Sequence, residues 1–418
     1  VHVRARVGSI RGLIAAAVAA SLLTLAGCSG GSSADVDLPS QVDRPLAEEV
    51  ATRIDDAVAR GMGLAAAPGA IVGVWAPWSG FQLSGYGTTE IGGQEPMSPE
   101  MHFRAAASTK AMTCTVLLGM VDDGRVALDD PVGEYVTVVG TEEMTLGQLC
   151  QSTAGLGNFR DTFQSQFVSN PTRAWVAEEL VSDGVARSGD TTPGSAYSGN
   201  DTGYVLLAMA LENAGDAPIE DLFERYVFAP LGMSQSDLPA ASTTALPDPA
   251  PHGYQVLGGD CAAQSDLSEL SPSMLGAAGG AVTTADDLKR FAQGFAAGAP
   301  FSETTAAAQW ETVPLGADAP TWQGFGLGGF QFGPMRGQFG DIPGFSTAAF
   351  SDPTSGLTVV VMLNASTASP QLVQALALEL ASYALTAPAA EGRTAPEPSL
   401  PWSAEQMQQQ SAAAAVCQ

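Results

Sequence analysis

The chain has 418 residues, with 17 Lys and Arg against 44 Asp and Glu, for a formal net charge of −27. So acidic a surface repels phosphate backbones, which excludes nucleic acid as a partner. The 45% hydrophobic content excludes a chain disordered as a whole, and the length suffices for a sizeable core. Three His and five Cys occur, in no zinc-like spacing, so neither a metal nor another cofactor is expected.

At the N-terminus, Arg4, Arg6 and Arg11 precede an apolar run over residues 13–25 that ends in Leu25-Ala26-Gly27-Cys28. A positive start, a short apolar stretch and small residues before a cut predict a signal peptide over 1–27. Leu-Ala-Gly-Cys is similar to the lipobox of bacterial lipoproteins. That similarity implies lipidation at Cys28 and an exported protein anchored to the outer face of the cytoplasmic membrane or the cell surface. Residues 28–45 open Gly/Ser-rich and read as a flexible tether.

Helical period and early acids (Glu48, Glu49) predict a helix over 46–64. Apolar runs over 70–75 and 81–86 flank the turn Trp78-Ser79-Gly80 and predict a hairpin. A helix is expected over about 105–123, and amphipathic helices over 203–214 and 284–296 within a mostly helical block reaching about 300. Strands return near 325–332, 347–352 and 357–363, followed by a helix over 371–385. Residues 386–418, rich in Pro and Ala and then in Gln and Ala, read as a mobile tail. This order predicts an α+β fold over residues 46–385. Strands from both ends form one antiparallel sheet flanked by terminal helices, and a helical lobe of about 105–300 is inserted. The groove between the lobes is the expected site. Besides Cys28, the chain holds Cys114, Cys150, Cys261 and Cys417. An exported protein can oxidise them, but four cysteines allow three connectivities and the sequence does not choose.

Several blocks then occur in one order. Ala107-Ser108-Thr109-Lys110 is followed by Leu128-Asp129-Asp130-Pro131, Thr153-Ala154-Gly155-Leu156, Thr202-Gly203-Tyr204 and Ile342-Pro343-Gly344-Phe345. Together these resemble the serine β-lactamase and penicillin-binding (DD-peptidase) family, in its branch related to class C enzymes. The resemblance implies a β-lactamase/DD-peptidase-like fold, and a Ser-x-x-Lys, a Tyr-x-Asn and a His-x-Gly motif for acyl transfer. At those positions this chain has Ala107 and Lys110, Gly199 and Asp201, and Gln338 and Gly340. Ser152 takes the place of a further family His. Lys110 and Gly340 alone match. Ser108 is one residue, about 100° of helix, from the nucleophile position and should point away from Lys110. Tyr197 and Asn200 would need a local loop shift to enter. The expectation is therefore a cell-surface lipoprotein that has lost catalysis. It would act as a binding or scaffold protein for cell-wall peptide or an envelope protein in the cleft, with Lys110 and Asp201 paired across it. The alternative is a divergent serine hydrolase that uses Ser108 or Ser198 with Lys110. The resemblance also implies that Cys114 and Cys150 are neighbours, leaving Cys261 with Cys417.

Overall fold

The computed structural model describes residues 36–416 except 190, 258, 259, 262 and 398. The expected signal peptide, Cys28 and Cys417 lie outside the described residues. Helix α1 (Glu48–Ala65) leads into the hairpin β1 (Gly69–Ala76) and β2 (Gly80–Gly87). The helical lobe includes α2 (Ser108–Asp122), α3 (Leu146–Cys150), α4 (Arg160–Ser169), α5 (Thr202–Gly215) and α6 (Ala285–Ala297). Six strands follow: β3 (Val313–Pro314), β4 (Gln323–Phe325), β5 (Phe330–Phe332), β6 (Met335–Ile342), β7 (Phe345–Ser351) and β8 (Thr358–Leu363). The chain closes with α7 (Gln371–Ala384) and α8 (Ala404–Ala413). The sheet is antiparallel, in the order β2-β1-β8-β7-β6-β5-β4-β3. Strands from both ends of the chain therefore meet at the β1–β8 pairing, as the order of elements predicted.

Both faces of this sheet are covered, so β1 is buried along its whole length. The two-residue period sorts its side chains. Val72 and Val74, with Val359 and Val361 of β8, pack against Ile54 and Val58 of α1 and Leu376 and Leu380 of α7. Ile71 and Trp75, with Val360 and Met362, face the helical lobe. Burial of such a side chain contributes about 1.5–3 kcal/mol. Helix α2 runs through the middle of the lobe, with Met112, Val116, Leu117, Leu118 and Met120 fully buried. Its buried Thr113 hydroxyl is satisfied by the carbonyls of Thr109 and Ala277 (3.0 and 2.6 Å).

Cys114 of α2 is bonded to Cys150 at the end of α3, with Cα atoms 5.7 Å apart. Cys261 is also disulfide-bonded. Three elements differ from the sequence reading. Residues 325–332 hold two strands rather than one, broken at Gly328, whose φ is +83°. Strand β6 was not anticipated. Its sequence, Met-Arg-Gly-Gln-Phe-Gly-Asp-Ile, is poor in strand formers, and it is held by pairing with β7 across the two-residue turn Pro343-Gly344. Residues 404–413, read as part of a mobile tail, form α8. A Ser403–Gln406 capping box starts it, and Trp402 and Met407 bury themselves in the α1–α7 layer. A low-complexity composition conceals two well-spaced anchors.

Candidate functional site

Where the lobe meets the sheet, a cavity of about 270 Å³ opens. All six positions singled out in the sequence (Ala107, Lys110, Gly199, Asp201, Gln338 and Gly340) line it. Ala107 is the N-cap of α2, and Lys110 follows one turn later. Strand β6 crosses so close to this helix start that a Cβ on Gly340 would stand 2.4 Å from the Ala107 Cβ. Only glycine lets the two backbones approach in this way.

Lys110 Nζ lies 2.6 Å from Asp201 Oδ1 and donates to the Asn200 carbonyl at 3.2 Å, so the expected pair across the groove is present. Burial acts against the Asp201 charge, but Lys110, Arg160 and Asn158 outweigh it and hold the carboxyl below the ordinary aspartate range. A second pair extends the pattern. Arg160 Nη2 reaches Asp341 Oδ2 at 2.5 Å, and its Nη1 donates to the Asp341 carbonyl at 3.2 Å. Burial disfavours the Arg160 cation, yet Asp341 and Asp201 together raise its pKa. Two cations and two carboxylates thus neutralise each other along the cleft wall.

Strand β6 pairs with β7 through Ile342 but with β5 only as far as Gly337. Residues 338–342 therefore turn an open strand edge to the cleft. Gln338 is held at both ends: its amide nitrogen donates to the Gly328 carbonyl (2.9 Å) and its oxygen accepts from Phe339 N–H (3.0 Å). It secures the strand edge and offers no free imidazole-like group.

Gly199 leaves a space that another residue fills. The Tyr197 hydroxyl stands 2.8 Å from the point a Cβ at 199 would occupy. Its ring packs on Phe325 and Phe330, with centroids 4.8 and 6.1 Å away. Burial, with the Asp201 charge added, pushes the Tyr197 phenol pKa up. Tyr204, under the Lys110 ammonium at 5.3 Å from its ring centroid, shares a hydrogen bond with Ser152 (2.9 Å) and donates to the Cys150 carbonyl (3.0 Å). Asn200 lines the cavity too, but its side chain serves the local fold, accepting from Gly203 N–H and donating to the Ser198 carbonyl. Ser108 and Ser198 do not line the cavity. Ser108 is fully buried, its hydroxyl without a partner, and Ser198 is exposed.

Sequence reasoning missed Arg160, Asp341, Asn158, Tyr204 and the aromatic wall of Phe325, Phe330 and Phe339. Arg160 and Asp341 stand 181 residues apart, and no local spacing joins them. The one available signal was the position of Asp341 directly after Gly340.

The Beta-lactamase family model matches residues 54–382, and the chain belongs to that family. Its fold is of the β-lactamase/DD-peptidase type. It is 26% identical over 278 residues to the D-alanyl-D-alanine-carboxypeptidase/endopeptidase AmpH of Escherichia coli, covering 62% of this chain and 68% of that protein. A penicillin-binding protein of Bacillus subtilis is 24% identical over 153 residues, 36% of this chain. The match spans only 34% of that Bacillus protein's length. Among solved structures, a D-stereospecific amidohydrolase from Streptomyces superposes with a TM-score of 0.66 at 25% identity, covering 74% of this chain and 94% of the other.

Proposed function

We propose that this chain is a catalytically degenerate member of its family that binds short peptides of the cell envelope in the cleft without cleaving them. The carrying observation is the state of Lys110. Its side chain lies one turn beyond the methyl group of Ala107, and its ammonium is closed off by Asp201 at 2.6 Å. A methyl group cannot attack a carbonyl, and Lys110 Nζ is tied to Asp201 and to the Asn200 carbonyl rather than to a hydroxyl it could activate. The hydroxyls that do line the cavity are engaged or unassisted: Ser152 bonds Tyr204, and the Tyr197 phenol is held protonated by burial.

What remains is suited to binding. Beyond Gly337 the β6 edge has no neighbouring strand among the described residues; its Phe339 N–H and Asp341 carbonyl are taken by Gln338 and Arg160, and an extended peptide backbone can pair with the rest of it. Beside it lie a neutralised set of charges and the wall formed by Tyr197, Phe325 and Phe330. The names of AmpH and of the Streptomyces amidohydrolase point to ligands that contain D-amino acids. The residues up to Cys28 support a lipid-anchored place in the envelope, where such peptides occur. Fractionation of the full chain with membranes in a lipoprotein-processing host, lost in Cys28→Ser, is the expected result. A soluble wild-type product would refute that location.

The test of the cleft pairs two measurements. Calorimetric titration with a peptide ending in D-alanyl-D-alanine should give saturable, reversible binding, and fluorescent penicillin and fluorophosphonate should leave the protein unlabelled. Covalent labelling that disappears in Ser108→Ala or Ser152→Ala would establish an active hydrolase instead. Absence of any peptide binding would remove the receptor reading.

A further inference from the structure

Among the described residues, the charged side chains that line the cleft are Lys110, Arg160, Asp201 and Asp341, two of each sign. Each cation already has a carboxylate: Lys110 Nζ stands 2.6 Å from Asp201, and Arg160 Nη2 stands 2.5 Å from Asp341. The four side chains keep between 5% and 19% of their surface exposed, so both pairs are largely desolvated. No cation is left over for a terminal carboxylate of a peptide, and no carboxylate for a terminal ammonium. A charged chain end entering here must break one of the pairs or lose its hydration without a partner, and both are costly. The net charge of −27 acts further against an anionic ligand.

The groups that stay free are neutral. Of the hydroxyls that line the cavity, Ser152 and Tyr204 bond each other. The Tyr197 hydroxyl makes no hydrogen bond among the described residues and is not sealed from solvent. Burial and the nearby Asp201 charge keep this phenol protonated, so it can donate to a carbonyl. Its ring opens an aromatic wall. Tyr197, Phe330 and Phe339 are all partly exposed, with successive centroids 6.1 and 4.7 Å apart, and the buried Phe325 backs Tyr197 and Phe330 at 4.8 Å from each. A large apolar side chain can cover this wall and gain ring contacts, whereas an alanine methyl leaves most of it uncovered.

Taking the cleft as a peptide receptor, we propose that it selects an uncharged inner stretch of peptide with a large apolar side chain, and not a chain terminus. The Tyr197 hydroxyl donates to a backbone carbonyl of that stretch. The apolar side chain lies on Phe330 and Phe339. The two ion pairs stay intact behind it and set the preference by offering no countercharge to a chain end.

Four tripeptides, each made in the D and the L series, are titrated into the full chain by calorimetry. They are N-acetyl-Ala-Phe-Ala-amide, the same peptide with a free carboxylate, the same peptide with a free ammonium, and N-acetyl-Ala-Ala-Ala-amide. In the series that binds more tightly, the capped Phe peptide should saturate. Either free terminus should weaken binding roughly tenfold or more, and so should the change of Phe to Ala. Tyr197→Phe keeps the ring and should weaken the capped peptide roughly threefold to tenfold. Asp201→Asn frees the Lys110 ammonium, and Asp341→Asn frees the Arg160 guanidinium. In each variant the penalty on the free carboxylate should shrink roughly tenfold, with a melting temperature well above that of the titration to show that the fold is kept. Equal affinity for the capped and free-carboxylate peptides, or a penalty unchanged in both aspartate variants, would overturn this inference and leave the receptor reading standing. Binding by none of the four peptides in either series would remove both.

Discussion

Lys110 keeps 18% of its side chain exposed and Asp201 only 5%, so removing the carboxylate leaves a cation short of its partner in a largely desolvated place. Breaking a fully buried pair costs about 3–5 kcal/mol. With Lys110 still touching water, Asp201→Asn should cost less, about 1–3 kcal/mol at neutral pH, read from guanidinium unfolding. The pH dependence has a definite sign. The Asp201 pKa is depressed in the folded state. Its contribution is therefore complete above the unfolded aspartate value of about 3.9 and is lost as pH falls through the folded value. The wild-type protein should lose stability below about pH 4, and its gap to Asp201→Asn should narrow over the same interval. A gap that stays constant to pH 2 would show that the pair does not hold Asp201 ionised.

At the scale of elements, legibility followed the strength of local signals. Helix α1 and strand β1 were readable because one carries a 3.6-residue period and the other a nearly continuous apolar run. Strand β6 was not, since Arg336, Gly337, Gln338, Gly340 and Asp341 give no alternation, and its pairing with β7 is a tertiary fact. Its two site positions were nevertheless found by counting back from Pro343-Gly344-Phe345, and both line the cleft. Ordered motif spacing can thus place a site residue even where its secondary structure is misread. Tyr197 shows the opposite limit. Its hydroxyl fills the space beside Gly199, two residues away, and only the folded loop reveals which side chain enters the cleft. The Cys114–Cys150 bond was expected from the family resemblance, and the structure adds what it joins. The Cys150 carbonyl accepts from both Tyr204 Oη and Gly328 N–H, so one cross-link steadies the cleft floor and the loop held by Gln338.

Across the whole molecule, the layer behind the sheet is assembled from distant parts of the chain. Helices α1 and α7 pack together there, and α8 closes over α7. Trp402 is the anchor of that closure. It is 6% exposed, its indole N–H donates to the Leu378 carbonyl and the Ser382 hydroxyl, both at 3.1 Å, and its ring lies 5.6 Å from that of Trp322. Trp402→Ala would remove the ring contact and the indole bonds to the Leu378 carbonyl, which Ser382 Oγ also donates to, and to the Ser382 hydroxyl. Truncation of a buried Trp costs about 3–5 kcal/mol. A helix of ten residues is too short to persist undocked, so α8 should melt with the loss of its anchor. The expected result is a drop in unfolding free energy of about 3 kcal/mol, with loss of hydrogen-exchange protection over residues 404–413. Protection unchanged in the variant would show that α8 is held by something other than Trp402. A wild-type protein lacking protection there would show that the C-terminal segment is undocked in solution.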